Sequence, residues 1–389
     1  MSQASRLHVL SAGLLVSLVG FASAAAVVIK GLEAAGASEG EIASGLAVVT
    51  VVMGLLGIGL SRANRMPISI AWTTPGMALL ATTGAVPGGF PAVTGAFVVT
   101  GLMIVVAGLW QPLGRLVAAI PRPIAAAMLA GILMKLCLAP FVALGKAPFA
   151  ALAVLVTWLV LFRFARLWAA PAAAAVALAV IAFGEAGGAS ALAFHWPVPV
   201  LVMPVFEPQA LVSVALPLFL VTMASQNIPG YAVLATNGYH PKFGPLLVAT
   251  GLASAATAPF GAPTNNLAAI TAALCAGPDA HPDPARRWSV AVVAGLGYVA
   301  IAAVSAVAVG LVTRSSPLLV EAAAGLALLG ALGAALNGAI SDEKDRIPAL
   351  LTFLTAASGL SFAGIGPAFW ALVVGLVVHG FLAVGRKAA

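Results

Sequence analysis

Charge is what this chain has least of. Asp and Glu together number 11 in 389 residues, charged side chains make up 7%, and hydrophobic residues make up 62%. A water-soluble fold needs about a quarter of its residues charged, so a sizeable soluble domain is excluded. Cysteine is nearly absent. Cys137 and Cys275 lie in apolar stretches far apart, which leaves no disulfide framework and no metal site to build. No run of basic residues occurs either: the formal charge of +7 is scattered through short connections, so no nucleic-acid surface is expected. The apolar stretches hold no H-E-x-x-H and no paired aspartates, and the five histidines fall near helix ends or in connections. An intramembrane hydrolase would lack its nucleophile and base.

What the chain has instead is a succession of apolar stretches, most of them about 18 to 22 residues, long enough for a helix to cross the roughly 30 Å hydrocarbon of a bilayer. Punctuation by Gly, Pro and charge gives fourteen segments: 9–29, 42–60, 67–84, 92–110, 123–140, 147–162 and 168–186, then 210–236, 244–257, 258–276, 288–312, 317–338, 347–362 and 367–385. Arg6 ahead of an apolar run, with FASAAA at Phe21–Ala26, resembles a signal peptide. The run from Val9 to Ile29 is longer than a signal core and more spans follow, so a first membrane helix is expected. With the N-terminus in the cytoplasm, Arg6, Arg62, Arg65, Arg115, Arg122, Arg163, Arg166, Lys242, Arg286, Arg287, Lys344, Arg346, Arg386 and Lys387 fall inside. Only Lys30, Lys146 and Arg314 fall outside, as the excess of Lys and Arg in cytoplasmic loops requires.

Seven segments precede the connection 186–209 and seven follow it. An odd number in each half makes two similar halves enter the membrane from opposite sides, as an inverted repeat. The third segment of each half is anomalous: MPISIAWTTPGMALLATTG (Met66–Gly84) and APFGAPTNNLAAITAALCAG (Ala258–Gly277). Each opens with residues hostile to helix, then places Thr beside Pro, then turns into a short apolar helix. Thr74 before Pro75 fits an N-cap with proline at the first helical position, and Thr264, Asn265 or Asn266 fits a cap for the second short helix. The two helices are expected to start near mid-membrane with their N-termini facing, an anion site built without arginine or lysine. Ordinary proline kinks would explain one such segment but explain two at matching positions poorly.

A third polar cluster is MASQNIPGYAVLATNGY (Met223–Tyr239), where Gln226 and Asn227 lie deep in the eighth segment beside Pro229-Gly230. These amides serve either as ligand contacts or as glue between helices. Trp72, Tyr231 and Phe260 are candidates for flat walls against an aromatic ligand.

RMPISIAWTTPGMALL, SQNIPGYAVLATNGY and APFGAPTNNLAAITAALCAGPDAHPDPARRW resemble the signature segments of the bacterial benzoate/proton symporters, the BenE family, and the resemblance covers nearly the whole chain. More distantly the layout resembles nucleobase–ascorbate and sulfate-permease transporters. The resemblance implies an all-α polytopic membrane protein of fourteen segments in two inverted sevens, with segments 3 and 10 broken. It implies a core domain from 1–122 and 210–313 and a gate domain from 123–209 and 314–389. Substrate would bind between the two short helices and segment 8, in contact with Thr73, Thr74, Gln226, Asn227, Thr264, Asn265 and Asn266. The function implied is uptake of benzoate or a close aromatic carboxylate with a proton across the bacterial inner membrane, with both termini cytoplasmic, no cofactor or metal, and dimers through the gate domain. The alternatives are a nucleobase or other anion carrier on the same fold, or a passive channel.

Gln226 and Asn265 stand where nucleobase carriers have acidic or amide groups, and amides suit a carboxylate ligand better than acids do. The loss of those acids leaves proton coupling without an obvious carrier. Glu33, Glu39, Glu41, Glu185, Glu207, Asp279, Asp283, Asp342, Glu343 and Asp345 fall in loops, and Glu321 near a helix start. Lys135 and His379 are the titratable candidates within segments, either of which can snorkel to an interface. A further candidate is the substrate's own carboxylate.

Overall fold

A computed structural model describes residues 3–83, 86–110, 112, 120–184, 196–268, 270–313, 317–362 and 365–386. Arg115, Glu185, Arg314 and Lys387, and the first part of the connection between the halves, lie outside the described residues.

Each expected segment has a helical counterpart. The first half contains α1 (Gln3–Ala22), α2 (Ala25–Ala34), α3 (Glu39–Asn64), α4 (Thr74–Thr83), α5 (Gly89–Leu109), α6 (Arg122–Lys146), α7 (Pro148–Phe164) and α8 (Ala169–Gly184). The second half opens with the long helical span α9 (Pro208–Thr236), followed by α10 (Phe243–Thr257), α11 (Ile270–Ala276), α12 (Trp288–Ala302) and α13 (Ser305–Thr313). It closes with α14 (Pro317–Ala339), α15 (Arg346–Ala357) and α16 (Pro367–Arg386).

Several of the fourteen segments are short or broken: among the described residues 7 helices, or up to 8, are long and apolar enough to span a bilayer. The eleventh segment is a pair, α12 and α13, bent by 55°. The chain is not wholly helical, because the third and tenth segments contribute one short strand each, β1 (Ile70–Trp72) and β2 (Asn265–Leu267).

Local chemistry sets several boundaries. Ser38 Oγ accepts the Glu41 N–H at 3.4 Å while Glu41 Oε2 accepts the Ser38 N–H at 2.7 Å, a reciprocal cap that starts α3. Proline opens α7 and α16 at positions where its missing N–H costs nothing.

Packing falls into two groups. α3 lies along α12 and α5 along α10, while α14, α15 and α16 lie on α6, and α8 lies on α7 and α14. Glycine sets the spacing inside the first group. A methyl on Gly101 would sit 2.8 Å from the Gly251 carbonyl oxygen, and one on Gly251 2.7 Å from the Gly101 oxygen, so no side chain fits between α5 and α10 there. The same holds for Gly54 and Gly295, where α3 meets α12 at 2.5 and 2.6 Å. Contact between the groups is uneven: α4 packs on α6 and α16, whereas α11 packs on α1, α12 and the end of α9, all within its own group. A cavity of about 190 Å³, lined wholly by apolar side chains including Phe21, Ile29, Leu178 and Val320, lies where the first helix pair meets α8, α13 and α14.

Candidate functional site

The two broken segments meet. β1 and β2 form an antiparallel ribbon with Ile70 opposite Leu267, Ala71 opposite Asn266 and Trp72 opposite Asn265. The ladder continues at both ends, where the Thr73 N–H donates to Thr264 O at 3.1 Å and the Ala268 N–H to Ser69 O at 3.0 Å. Proline explains part of the extended backbone, since Pro67 and Pro263 bias the residues before them away from helix. Gly261 supplies the left-handed turn, φ 75°, that leads into the second strand.

A two-stranded ribbon among apolar helices has outer edges that no water reaches, and each unmet backbone group there costs several kcal/mol. Side chains from neighbouring helices meet them. On the outer edge of β2 the Asn265 N–H donates to Ser254 Oγ at 2.8 Å, and the Leu267 N–H to Asn227 Oδ1 at 3.0 Å. Beside β1, Ser61 Oγ donates to Ile68 O at 2.8 Å.

The caps differ from those expected. α4 begins one residue early, so Thr73 is its cap: Thr73 Oγ1 accepts the Gly76 N–H at 3.2 Å and shares a 2.8 Å hydrogen bond with Thr222 Oγ1 on α9. Pro75 then stands second in the helix, still among the groups that need no intrahelical partner. At the other segment Thr264, Asn265 and Asn266 cap nothing. The ladder holds residues 264–268 extended, and α11 begins at Ile270, with Ala269 outside the described residues. The two helices therefore leave opposite ends of the ribbon, separated by about 13 Å at the ~3.3 Å rise of a strand residue.

Alternation along the strands sorts the candidates. Trp72 and Asn265 share one face of the ribbon, while Ala71, Thr73, Thr264 and Asn266 share the other. Thr264, Asn265 and Asn266 are all fully buried, and yet Thr264 Oγ1, both amide atoms of Asn265 and Asn266 Oδ1 have no hydrogen-bond partner. Buried polar atoms are nearly always paired. Four unpartnered atoms within three consecutive residues make this stretch the candidate site.

The remaining candidates divide. Thr74 and Gln226 are half-buried beside this centre, and Gln226 lies in a π-helical turn, Met223–Asn227, a distortion frequent at functional sites. Asn227 in the same turn is fully buried and committed to the strand. Trp72 is 2% exposed and lies edge-on to Phe21 at 5.5 Å, so it is packing and not an open wall. Tyr231 rests on Phe243 at 5.0 Å, and Phe260 precedes the Gly261 turn, both half-buried. Lys135 is exposed on α6, and His379 Nδ1 lies 2.7 Å from Asp345 Oδ1 at the start of α15. The structure brings neither to the ribbon.

Sequence reasoning missed Thr222, Ser254 and Phe21. Thr222 stands one turn before Gln226, which was the available signal; Ser254 and Phe21 carry none, being a small polar residue in a helix and one phenylalanine among seventeen.

The chain is 16% identical, with a TM-score of 0.58 over 99% of this chain and 98% of the other, to the transmembrane domain of the cyanobacterial bicarbonate transporter BicA. It is 14% identical, with a TM-score of 0.63 over 100% of this chain and 69% of the other, to the murine anion transporter Slc26a9 in its inward-facing state. These likenesses concern the fold. In sequence it is 38% identical to inner membrane protein YdcO of Escherichia coli, over 95% of this chain and 94% of that one. It is 30% identical to the benzoate membrane transport protein of Acinetobacter baylyi, over 97% and 95%. The family model for benzoate membrane transport proteins, BenE, matches residues 3–381. A helical, multi-pass inner-membrane transporter and not an enzyme, the chain belongs to the BenE benzoate membrane transport protein family.

Proposed function

We propose that the protein is a secondary active transporter that takes up benzoate, or a close aromatic carboxylate, together with a proton. The observation that carries this reading is the set of four unpartnered buried polar atoms on Thr264, Asn265 and Asn266, at the junction of two broken segments. Such a set suits a small polar ligand, and no charged side chain stands on the ribbon to hold a permanent ion. We assign direct ligand contact to Thr264 and Asn266 on one face of the ribbon, with Thr74 and Gln226 beside it, place Asn265 behind it on the other face, and give Thr73 and Asn227 the task of holding the frame.

The moving parts in this reading are the two packing groups, α1–α5 with α9–α13 as the core and α6–α8 with α14–α16 as the gate. Support comes from the pairing of contacts: α3 with α12 mirrors α10 with α5, as two inverted halves require. The distribution of Lys and Arg supports cytoplasmic termini.

The test is uptake of labelled benzoate by purified protein in liposomes, with an inward proton gradient. Saturable accumulation that collapses when the gradient is dissipated is the expected result. Movement of uracil, sulfate or bicarbonate without benzoate would transfer the assignment to another carrier on this fold, and benzoate flux that never exceeds equilibration would make it a channel.

A further inference from the structure

We infer that the proton rides on the substrate: the site binds the carboxylic acid form, and the carboxyl group is itself the proton carrier. This rests on the aromatic-carboxylate reading above.

Asn266 presents a bare acceptor. Its Nδ2 donates to Leu267 O at 3.0 Å, and a flipped amide would set oxygen against oxygen there, so the group left open is Oδ1, an acceptor with no hydrogen to give. A carboxylate has only acceptors, and beside Asn266 Oδ1 it would be repelled. A carboxylic acid brings an O–H that can donate to Oδ1. Two residues back on the same face, the open hydroxyl of Thr264 can donate to the acid's carbonyl oxygen. Acceptor and donor on one face form the complement of a protonated carboxyl group.

The surroundings contain no other carrier. The elements packed on the ribbon are α3, α10, α11, the middle and C-terminal end of α9, and the end of α1 through Phe21. Their titratable and charged groups are Glu39, Glu41 and Arg62 at the ends of α3, Tyr231 on α9, Cys275 on α11, and Arg6 and His8 at the end of α1 away from Phe21, where His8 is exposed and bonded to Asp279 O. Glu41 is taken by the Ser38 cap, Glu39 and Arg62 are exposed, and Tyr231 rests against Phe243. Cys275 is buried on α11, and a thiol ordinarily stays protonated near neutral pH.

The balance is simple. On the outer side a carboxylate oxygen takes a proton from water and an O–H bond forms; on the inner side that bond breaks and the proton returns to water. One proton and one negative charge cross together, so the step moves no net charge. With a carboxyl pKa near 4.3, about one molecule in 500 is the acid at pH 7. Apparent affinity for total substrate should therefore rise about tenfold for each unit that pH falls, until the ligand's own pKa is reached.

The experiment measures binding to detergent-solubilised protein from pH 5 to 8 for benzoate, 4-methoxybenzoate and 4-nitrobenzoate, which differ in acid strength, and for benzenesulfonate, which stays an anion throughout. Uptake into liposomes is followed in parallel, with protein-free liposomes giving the passive flux of acid. The expected result is that all three benzoates fall on one curve when plotted against acid-form concentration, and that benzenesulfonate does not bind. A pH midpoint common to the three, or benzenesulfonate competing as well as benzoate, overturns the inference and leaves the transporter reading standing. No binding or uptake of any benzoate at any pH overturns both.

Discussion

Asn227 Oδ1 accepts the Leu267 N–H at 3.0 Å, so a side chain of the eighth segment completes the edge of a strand in the tenth. Asn227→Ala leaves that buried N–H unmet, which costs about 1–3 kcal/mol. The melting temperature of the purified protein should fall, and Asn227→Asp, which keeps an acceptor, should fall less. Equal melting of Asn227→Ala and wild type would show that the bond contributes nothing.

Thr264 gives the opposite signature. Its hydroxyl is buried and unpartnered, so Thr264→Val removes an unpaired polar group at nearly constant shape. Melting temperature should hold or rise while benzoate uptake drops about tenfold, the equivalent of one hydrogen bond. Loss of stability with unchanged uptake would make Thr264 structural.

Lys135 and His379 should be dispensable for coupling. Lys135→Ala removes an exposed charge, a change within about 1 kcal/mol, and His379→Gln keeps a hydrogen-bond donor for the buried Asp345 carboxylate. Proton-driven accumulation in liposomes should persist in both variants; loss of coupling with benzoate exchange intact in either would identify a protein-borne carrier.

Gly20 and Tyr298 form a tight pair between α1 and α12. A methyl on Gly20 would collide with Tyr298 Oη, the hydroxyl that also lies 3.4 Å from Val16 O. Gly20→Ala should cost about 1–3 kcal/mol, and Tyr298→Phe in the same chain should recover part of it, because the clash is with the removed oxygen. A double variant no more stable than Gly20→Ala alone would place the strain elsewhere.

The broken segments were legible because proline and glycine punctuate them: Pro75, Pro263 and Gly261 announce backbone that cannot be plain helix. The ribbon was not. Strands of three residues carry no readable period, and β1 and β2 come from opposite halves of the chain, so nothing local links them. The same limit hid the cap at Thr73, whose hydroxyl is fixed by Thr222 from another segment. Ser254 was hidden differently. Serines and threonines in membrane helices commonly bond back to their own helix, as Ser254 Oγ does to Thr250 O at 2.7 Å, and its second role toward Asn265 leaves no trace in sequence. The alternation that separates Asn265 from Asn266 could be drawn only once the strand was known.

One asymmetry has an energetic consequence. α4 rests on α6 and α16, while α11, with Ile270 75% exposed, packs mainly within its own group. A rocking motion that freed α4 would surrender apolar contact at one end of the ribbon, and the same motion could recover it at the other by seating α11. Because loss and gain are of the same kind, the two postures can lie close in free energy, and a small ligand's preference is then enough to tip the balance between them.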